Sequence, residues 1–267
     1  MLDLHSHILP GLDDGAADWR ESLAMARSAA DDGIRGMVCT PHWMIGVYDN
    51  TRPIVFEQVA ALRRKLQNHG IPLTLYPGSE LRLDASLLQR IRRREILTVN
   101  DGGRYALIEL PEAIMSERLE MFLWDMIVHG ITPVIAHPER NAFVQQHPEK
   151  LANWIRMGIM TQITAASLLG LFGSRTLEFT RMMLEHRLVH IMATDSHGLH
   201  TRPPILSRAA ERLEEIVGKD EAQRMTMVTP HRIVSGQPFS VASPRPLQRR
   251  ASLWKKFLVN IGMEHKT

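Results

Sequence analysis

Met1-Leu2-Asp3-Leu4-His5-Ser6-His7 opens the chain, and its alternation sets a pattern that recurs along the sequence. In an extended segment successive side chains face opposite ways, so His5 and His7 point together and Ser6 points away. Leu2 and Leu4 take the other face and read as core. Two neutral imidazoles on one side of a strand end can share a divalent metal ion. The pair gains weight because histidines and carboxylates recur at the ends of several later apolar runs.

Those runs are short and regularly placed. Candidate strands are Leu2–His7, Gly36–Thr40, Leu73–Tyr76, Tyr105–Leu110, Thr132–Ala136, Ile159–Thr164 and Leu188–Ala193. Helical periodicity lies between them: Val55, Val59, Leu62 and Leu66 form one stripe, and Leu119, Phe122, Leu123, Met126 and Ile127 another. Gly33, Gly70, Gly130 and Gly158 each follow a helical stretch and precede a strand, the usual C-terminal stop. Alternation of this kind predicts an α/β fold whose seven parallel strands close as a distorted, TIM-like (β/α)7 barrel in a single domain. A barrel also accounts for the polar residues. His7, His42, Glu80, Glu109, His137 and Asp195 lie at or just past the C-terminal ends of strands, the face where barrel enzymes build their sites.

The 267 residues suffice for one barrel-sized domain, with 44% hydrophobic and 23% charged content ordinary for a globular enzyme. No run of about 18 apolar residues predicts a membrane span. The N-terminus lacks a basic stretch leading into an apolar one, so no secretory signal is expected. A single cysteine, Cys39, rules out an intrachain disulfide and fits a cytoplasmic setting. The formal net charge of +3 is placed unevenly, with Arg245, Arg249, Arg250, Lys255, Lys256 and Lys266 crowding the C-terminus. The body is therefore close to neutral, and no nucleic-acid partner is expected, because the basic residues are not interleaved with aromatics. The division expected is a barrel over 1–241 and a basic tail over 242–267. Leu253, Trp254, Phe257, Leu258 and Ile261 share one helical face of that tail. Such a helix packs on the barrel exterior or docks on a membrane surface or partner, and the sequence leaves both open.

The candidate ligands, in order, are His5, His7, Asp14, His42, Glu80, Glu109, His137, Asp195 and His197. Asp195-Ser196-His197 repeats the logic of the first strand, with two ligands two apart. Nine are too many for one tetrahedral ion and suit two or three ions sharing bridging carboxylates. Carboxylates so clustered would repel each other unless cations sit between them. A nitrogen and oxygen set without thiolate favours manganese, iron or zinc.

Taken together, Asp3-Leu4-His5-Ser6-His7-Ile8-Leu9-Pro10, Asp13-Asp14-Gly15, Cys39-Thr40-Pro41-His42, Gly78-Ser79-Glu80, Ala136-His137-Pro138-Glu139-Arg140-Asn141 and Thr194-Asp195-Ser196-His197 closely resemble the polymerase and histidinol phosphatase (PHP) family. Within it, they are similar to the bacterial protein-tyrosine phosphatases encoded with capsular and exopolysaccharide machinery. The likeness runs from Met1 to about residue 238 and includes Gln162 and the Ser167–Arg175 stretch. It implies a three-metal cluster, usually manganese (Mn2+). One ion would sit on His5, His7, Glu80 and Asp195, a second on Glu80, Glu109 and His137, a third on Asp14, His42 and His197. Asp14 rather than Asp13 is taken as the ligand by matching position.

By the same resemblance Arg140 and Arg202 would hold the phosphate, although Arg140 could instead pair with Glu139. The activity implied is hydrolysis of phosphotyrosine by a metal-activated water. The implied partner is the phosphotyrosine-bearing tail of a bacterial tyrosine autokinase of polysaccharide biosynthesis or export. The alternatives are a small-molecule phosphatase resembling histidinol-phosphate phosphatase, and a partner-binding regulatory module on a membrane polysaccharide complex. A cysteine-dependent phosphatase is excluded from the residues alone. The phosphate loop of such an enzyme needs an arginine six residues past the nucleophile, and here that position is Ile45.

Overall fold

The computed structural model describes residues 1–111 and 116–247. Among the described residues ten strands occur in chain order: β1 Leu2–Ser6, β2 Gly36–Cys39, β3 His42–Met44, β4 Tyr48–Asp49, β5 Thr74–Pro77, β6 Glu80–Arg82, β7 Tyr105–Glu109, β8 Thr132–Ala136, β9 Met160–Thr164 and β10 Ile191–Ala193. All seven expected strands are present within a few residues of their expected ends. The sequence pattern did not show β3, β4 and β6. Each is two or three residues long, and Pro41 and Gly78 separate β3 and β6 from the apolar runs before them.

Pairing is parallel throughout except for the β3–β4 hairpin. The ladders form two sheets, ordered β1-β2-β5 and β10-β9-β8-β7-β6-β3-β4. Against the expectation of one closed, all-parallel seven-stranded barrel, the ladders show an α/β sheet that is mostly parallel, mixed at β3–β4, with an interruption between its two parts. Its cause is local. The backbone breaks between Cys39 and His42 and between Pro77 and Glu80, so the second half of each strand pairs into the other sheet. Beyond the ladders, a single bridge between Ser6 and Ser196 joins β1 to the segment after β10.

Local sequence explains the helices. Trp19–Asp31 begins at Asp18, whose side chain accepts from Glu21 N at 2.8 Å, while Glu21 Oε2 accepts from Ala17 N. Arg52–Asn68 starts with Pro53 in its first turn and buries Val55, Val59, Leu62 and Leu66, the stripe read from sequence. Each such side chain contributes about 1.5–3 kcal/mol on leaving water. Gly33, Gly70, Gly130 and Gly158 all have positive φ, as helix stops of this kind require.

β7, β8 and β9 are buried on both faces, as strands covered by helices must be. Inside, Leu2, Leu4, Leu107, Val134, Met160 and Ile191 pack with Ile233 and Val234 of the helix Thr229–Val234. That helix closes the N-terminal end of the strands. The opposite end is left to the polar residues. Ala242–Leu247 is described, and Arg245 N donates to His186 O at 2.8 Å. Residues 248–267, most of the expected tail and its amphipathic face, lie outside the described residues. Among the described residues no helix is long and apolar enough to cross a membrane.

Candidate metal centre

Seven of the nine candidate ligands lie at the C-terminal ends of strands or in the loops that follow, while His42 and Glu80 each come three residues past the end of a strand, β2 and β5. His5 lies one residue before the end of β1 and His7 comes just after it. His42 opens β3, Glu80 opens β6, and Glu109 ends β7. His137 and Asp195 come just after β8 and β10, and both adopt left-handed backbone (φ 32° and 51°). Two non-glycine residues in that region side by side in space are strained, and such strain collects at functional sites. Gly15 is needed for a different reason. A Cβ there would lie 2.1 Å from His7 O, so only glycine lets the Asp13-Asp14-Gly15 turn close over His7.

The imidazoles are held in one tautomer by their outer nitrogens. His5 Nδ1 lies 2.9 Å from Gln162 Oε1, and the Gln162 amide is itself oriented, because its Nε2 donates to Ile163 O. His7 Nδ1 lies 2.7 Å from Asp13 Oδ2, and His197 Nδ1 lies 2.9 Å from Asp195 O. Each Nδ1–H thus donates to an acceptor, which leaves each Nε2 with a lone pair. These lone pairs converge. His5 Nε2 and His7 Nε2 are 3.1 Å apart, and each lies 3.2–3.4 Å from Glu80 Oε2 and Asp195 Oδ1. His137 Nε2 lies 2.8 Å from Glu80 Oε1. His197 Nε2 and His42 Nε2 approach Asp14 Oδ1 at 3.3 and 3.5 Å.

Nitrogen lone pairs facing each other amid carboxylate oxygens have no stable protein-only arrangement unless protons or cations lie between them. The electrostatics carry the same signature. Burial pulls the His5 imidazole down, but the Glu80 and Asp195 carboxylates outweigh it and raise it. His7 is likewise opposed by burial, yet Asp13, Asp195 and Glu80 lift it well above its usual range. Burial pushes Glu80 and Asp195 up, and the surrounding imidazoles hold both well below the carboxylate range. Asp14 is held low chiefly by its contact with His197.

Among the described residues, three groups bring donor atoms within 4.8 Å of one another: His7, Asp14, His42 and His197; His5, His7 and Glu80; His42, Glu80 and Glu109. His42 Nδ1 and Glu80 Oε2 are buried and face each other at 3.0 Å, yet neither makes a hydrogen bond of proper geometry. The donors are imidazole nitrogens and carboxylate oxygens. Their chemistry, convergence and orphaned atoms fit divalent ions of the manganese, iron or zinc kind.

The two arginines are also here. Arg140 Nη1 and Arg202 Nη1 lie 2.7 and 2.9 Å from Asp195 Oδ2, on the side away from the imidazoles. Glu139 does not pair with Arg140. It is buried and accepts from Thr164 N, Thr164 Oγ1 and Ser167 Oγ, which ties the His137–Arg140 turn to the end of β9. Arg140 stacks on the Phe172 ring at 4.6 Å. A cleft of about 300 Å³ opens beside His137, Arg140, Arg82 and Glu109.

Sequence reasoning missed several supporting groups. Asp13 contacts His7, and it also accepts from His42 N and Gly15 N. Arg82 pairs with Glu109 at 2.9 Å. Tyr48 stacks on His42, and Asn50 fixes the His42 carbonyl. Phe172 and Gln162 complete the set. Gln162, Asp13 and Phe172 fall in segments of the resemblance, which gave none of them a role; Arg82, Tyr48 and Asn50 carried no sequence signal. Cys39 is buried in the core, and burial pushes its thiol up to about 12.

A mostly parallel α/β sheet that gathers histidines and carboxylates at one edge, with arginines beside them, is the arrangement of a metal-dependent enzyme. The chain belongs to the capsular polysaccharide synthesis family CpsB/CapC, whose pattern it matches over residues 1–235. It is 36% identical over 250 residues to the tyrosine-protein phosphatase YwqE of Bacillus subtilis, covering 94% of this chain and 98% of that protein. It is 31% identical over 242 residues to the tyrosine-protein phosphatase CpsB of Streptococcus pneumoniae, covering 89% and 99%. The fold matches a crystal structure from work on those two proteins, described there as unique metal-dependent tyrosine phosphatases. The TM-score is 0.88 at 35% identity, over 93% of this chain and all of the other. Histidinol phosphate phosphatase of Lactococcus lactis shares the fold at TM-score 0.55 and 16% identity, over 81% of this chain and 94% of that one.

Proposed function

We propose that this chain is a metal-dependent protein-tyrosine phosphatase. The observation that carries this reading is the set of imidazoles fixed by Gln162, Asp13 and the Asp195 carbonyl, with their Nε2 lone pairs turned on Glu80, Asp195 and Asp14 beside two arginines. His5, His7, Asp14, His42, Glu80, Glu109, His137, Asp195 and His197 would hold a cluster of three ions, with Mn2+ the metal we favour over iron or zinc. Such ions supply a water ionised near neutral pH and positive charge for the phosphoryl oxygens.

The chain's own groups do the rest. Asp195 Oδ2 holds Arg140, which lines the cleft, and Arg202 side by side, and planar bidentate donors of this kind suit a phosphate ester. The stack of Arg140 on Phe172 limits how that guanidinium turns. The leaving phenolate has an ordinary pKa near 10, so it needs little proton donation. Cys39, buried and protonated, takes no part.

The substrate we infer is the phosphotyrosine-bearing tail of a bacterial tyrosine autokinase serving polysaccharide export, met in the cytoplasm. The rim supports a peptide over a small metabolite. Ile45 and Val47 on the β3–β4 turn and Leu171 after β9 are exposed apolar side chains beside the site, suited to a chain that extends beyond the phosphotyrosine. We further read the two sheets as one distorted seven-stranded barrel. In it β2 with β3 and β5 with β6 are the halves of two broken strands, and the Ser6–Ser196 bridge is the closing seam. Residues 1–241 would be the enzyme, and 242–267 a basic appendage for peripheral membrane association.

The test is hydrolysis of a phosphotyrosyl peptide and of histidinol phosphate, side by side, after chelation and re-addition of Mn2+, Fe2+ or Zn2+. Turnover of the peptide restored best by Mn2+ is expected. Preference for histidinol phosphate would overturn the substrate, restoration by another ion would overturn the metal, and no turnover would leave the binding-module alternative.

A further inference from the structure

A second cavity, of about 590 Å³, lies at the opposite end of the strands, where His190 leads into β10. It shares no lining residue with the cleft beside the metal ligands. Its walls come from the ends of the helices Ser174–Glu185 and Ser207–Val217, the segment Arg224–Val228 and the chain near Phe239.

We propose that this cavity is a binding site for a small anion carrying an apolar chain. The first observation is His190. The residue is only 8% exposed, and its Nδ1 accepts the Thr161 backbone N–H at 3.1 Å. The Thr161 hydroxyl gives its own proton to Leu188 O, so Nδ1 is an acceptor and the ring proton sits on Nε2. That Nε2–H is buried with no partner in the protein. A buried donor left unmade is costly, and an oxygen acceptor in the cavity relieves it. Burial also pulls the imidazole down to about 4, so Nε2–H stays a neutral, fixed donor across the physiological range.

The second observation is charge. Arg187, Arg224, Arg232 and Arg245 line the cavity against only two acids, Glu185 and Glu221. Glu221 is taken by Arg224. Arg245 reaches only the Glu185 carbonyl, and Arg232 lies over the Phe239 ring. Among the described residues Arg187, Arg232 and Arg245 have no acidic side chain in ion-pair range, which leaves the lining cationic.

The third observation is the apolar remainder: Val189, Ile216, Met225, Val228 and Phe239 supply a wall that a bare inorganic ion would not use. Met225 and Val228 sit on a π-helical turn, Arg224–Val228, and such turns recur at functional sites. The volume lies in the range of small-molecule pockets. The chain's continuation over 248–267 is basic on balance, with Arg249, Arg250, Lys255, Lys256 and Lys266 against Glu264, so its charge has the same sign as the lining.

Decanesulfonate, methanesulfonate and decyltrimethylammonium, titrated calorimetrically into the full-length, metal-loaded protein, test this. Decanesulfonate should bind saturably at one site. Removing its chain should weaken it at least tenfold, and inverting the charge should abolish binding. His190→Phe and the double variant Arg187→Gln/Arg232→Gln should each weaken decanesulfonate at least tenfold while hydrolysis of p-nitrophenyl phosphate is unchanged. The double variant alters exposed side chains, so it keeps the test valid if His190→Phe fails to fold.

Phosphatidylglycerol vesicles identify the source of the anion. Co-sedimentation lost in the double variant points to a lipid headgroup, and decanesulfonate binding without co-sedimentation points to a soluble amphiphile; either supports the site. Equal binding of decyltrimethylammonium, unchanged binding in the double variant, or loss of binding in Arg140→Ala would overturn it.

Discussion

Gln162 Oε1 accepts the Nδ1 proton of His5 at 2.9 Å, across 157 residues of chain, and this contact decides which nitrogen of His5 faces the metal ligands. The Gln162 amide cannot turn over without losing its bond to Ile163 O. Leucine at this position would fill the space without an acceptor and leave His5 free to take the other tautomer. Gln162→Leu should lower metal affinity by about 10–100-fold, the usual effect of removing an outer partner of a ligating histidine. Competition against a chelating dye reads this directly. Affinity equal to that of the parent protein would mean that Gln162 merely packs.

Arg140 and Arg202 meet on one oxygen of Asp195, so each supports the other's position. Neither is among the proposed ligands, so Arg140→Ala and Arg202→Ala should retain metal. Each should lose about 10²–10³ in kcat/KM on a phosphotyrosyl peptide, the scale of one missing donor to a developing oxyanion. Metal content by atomic spectroscopy, measured beside the kinetics, separates this from collapse of the site. Metal loss in step with activity would assign the arginines to holding Asp195 rather than phosphate.

Metal uptake should release protons. His5 and His7 are raised, in the metal-free protein, by the carboxylates around them. Both must give up that proton to ligate. Affinity should therefore fall as pH drops from 8 to 6, and Mn2+ titrations in two buffers of different ionisation heat should show a net proton release near pH 7. The sign for stability runs the same way. The raised imidazoles stabilise the metal-free fold fully below their ordinary pKa of about 6.5, and that help is lost as pH rises through the raised values. No proton release would mean the imidazoles are already neutral in the metal-free fold.

Iodoacetamide should leave the activity intact. The Cys39 thiol is fully buried, and with its pKa pushed up to about 12 it offers almost no thiolate at neutral pH. Cys39→Ala should keep kcat within about twofold and cost about 1 kcal/mol or less in stability, since one small apolar group replaces another. Rapid alkylation with loss of turnover would contradict both the burial and the metal-based reading.

The strands legible in the sequence were those with enough apolar residues to show a run. β3 and β6 were not, because His42 and Glu80 open them and leave only two residues each to signal a strand. The same two breaks divide the ladder into two sheets, and nothing in the apolar pattern announces that. In the site, spacing alone singled out His5 with His7 and Asp195 with His197, since two apart on a strand end is a local relation. Gln162, Asp13, Phe172 and Arg82 act through contacts that only the tertiary fold creates. Asp13 and Asp14 are neighbours that the fold sends to different tasks, one to the outer nitrogen of His7 and one to His42 and His197.

Asp3 is the buried carboxylate that the proposed mechanism leaves unused, and it gives the stability of the fold a pH slope. Burial raises it to about 6, against the pull of Thr194 and His5 N, which donate to it. Its folded pKa lies above its unfolded one. Its ionisation therefore leaves stability untouched below about pH 4 and removes it as pH climbs through about 6, by about 3 kcal/mol at pH 8. Asparagine keeps the shape. Its carbonyl oxygen still accepts from Thr194 N, and its amide donates to Thr194 Oγ1, whose proton turns to His5 O, 3.3 Å away. Asp3→Asn should therefore lose less stability than the parent between pH 5 and pH 8, in chemical denaturation of the metal-loaded protein. The comparison is variant minus parent, so the slopes from the metal ligands cancel. Asp3→Ala serves as the control, because it orphans the buried Thr194 N–H and should be less stable than the parent below pH 5 as well. A parallel pair of curves for Asp3→Asn and the parent would show that the carboxylate ionises in the folded state as it does in the unfolded chain.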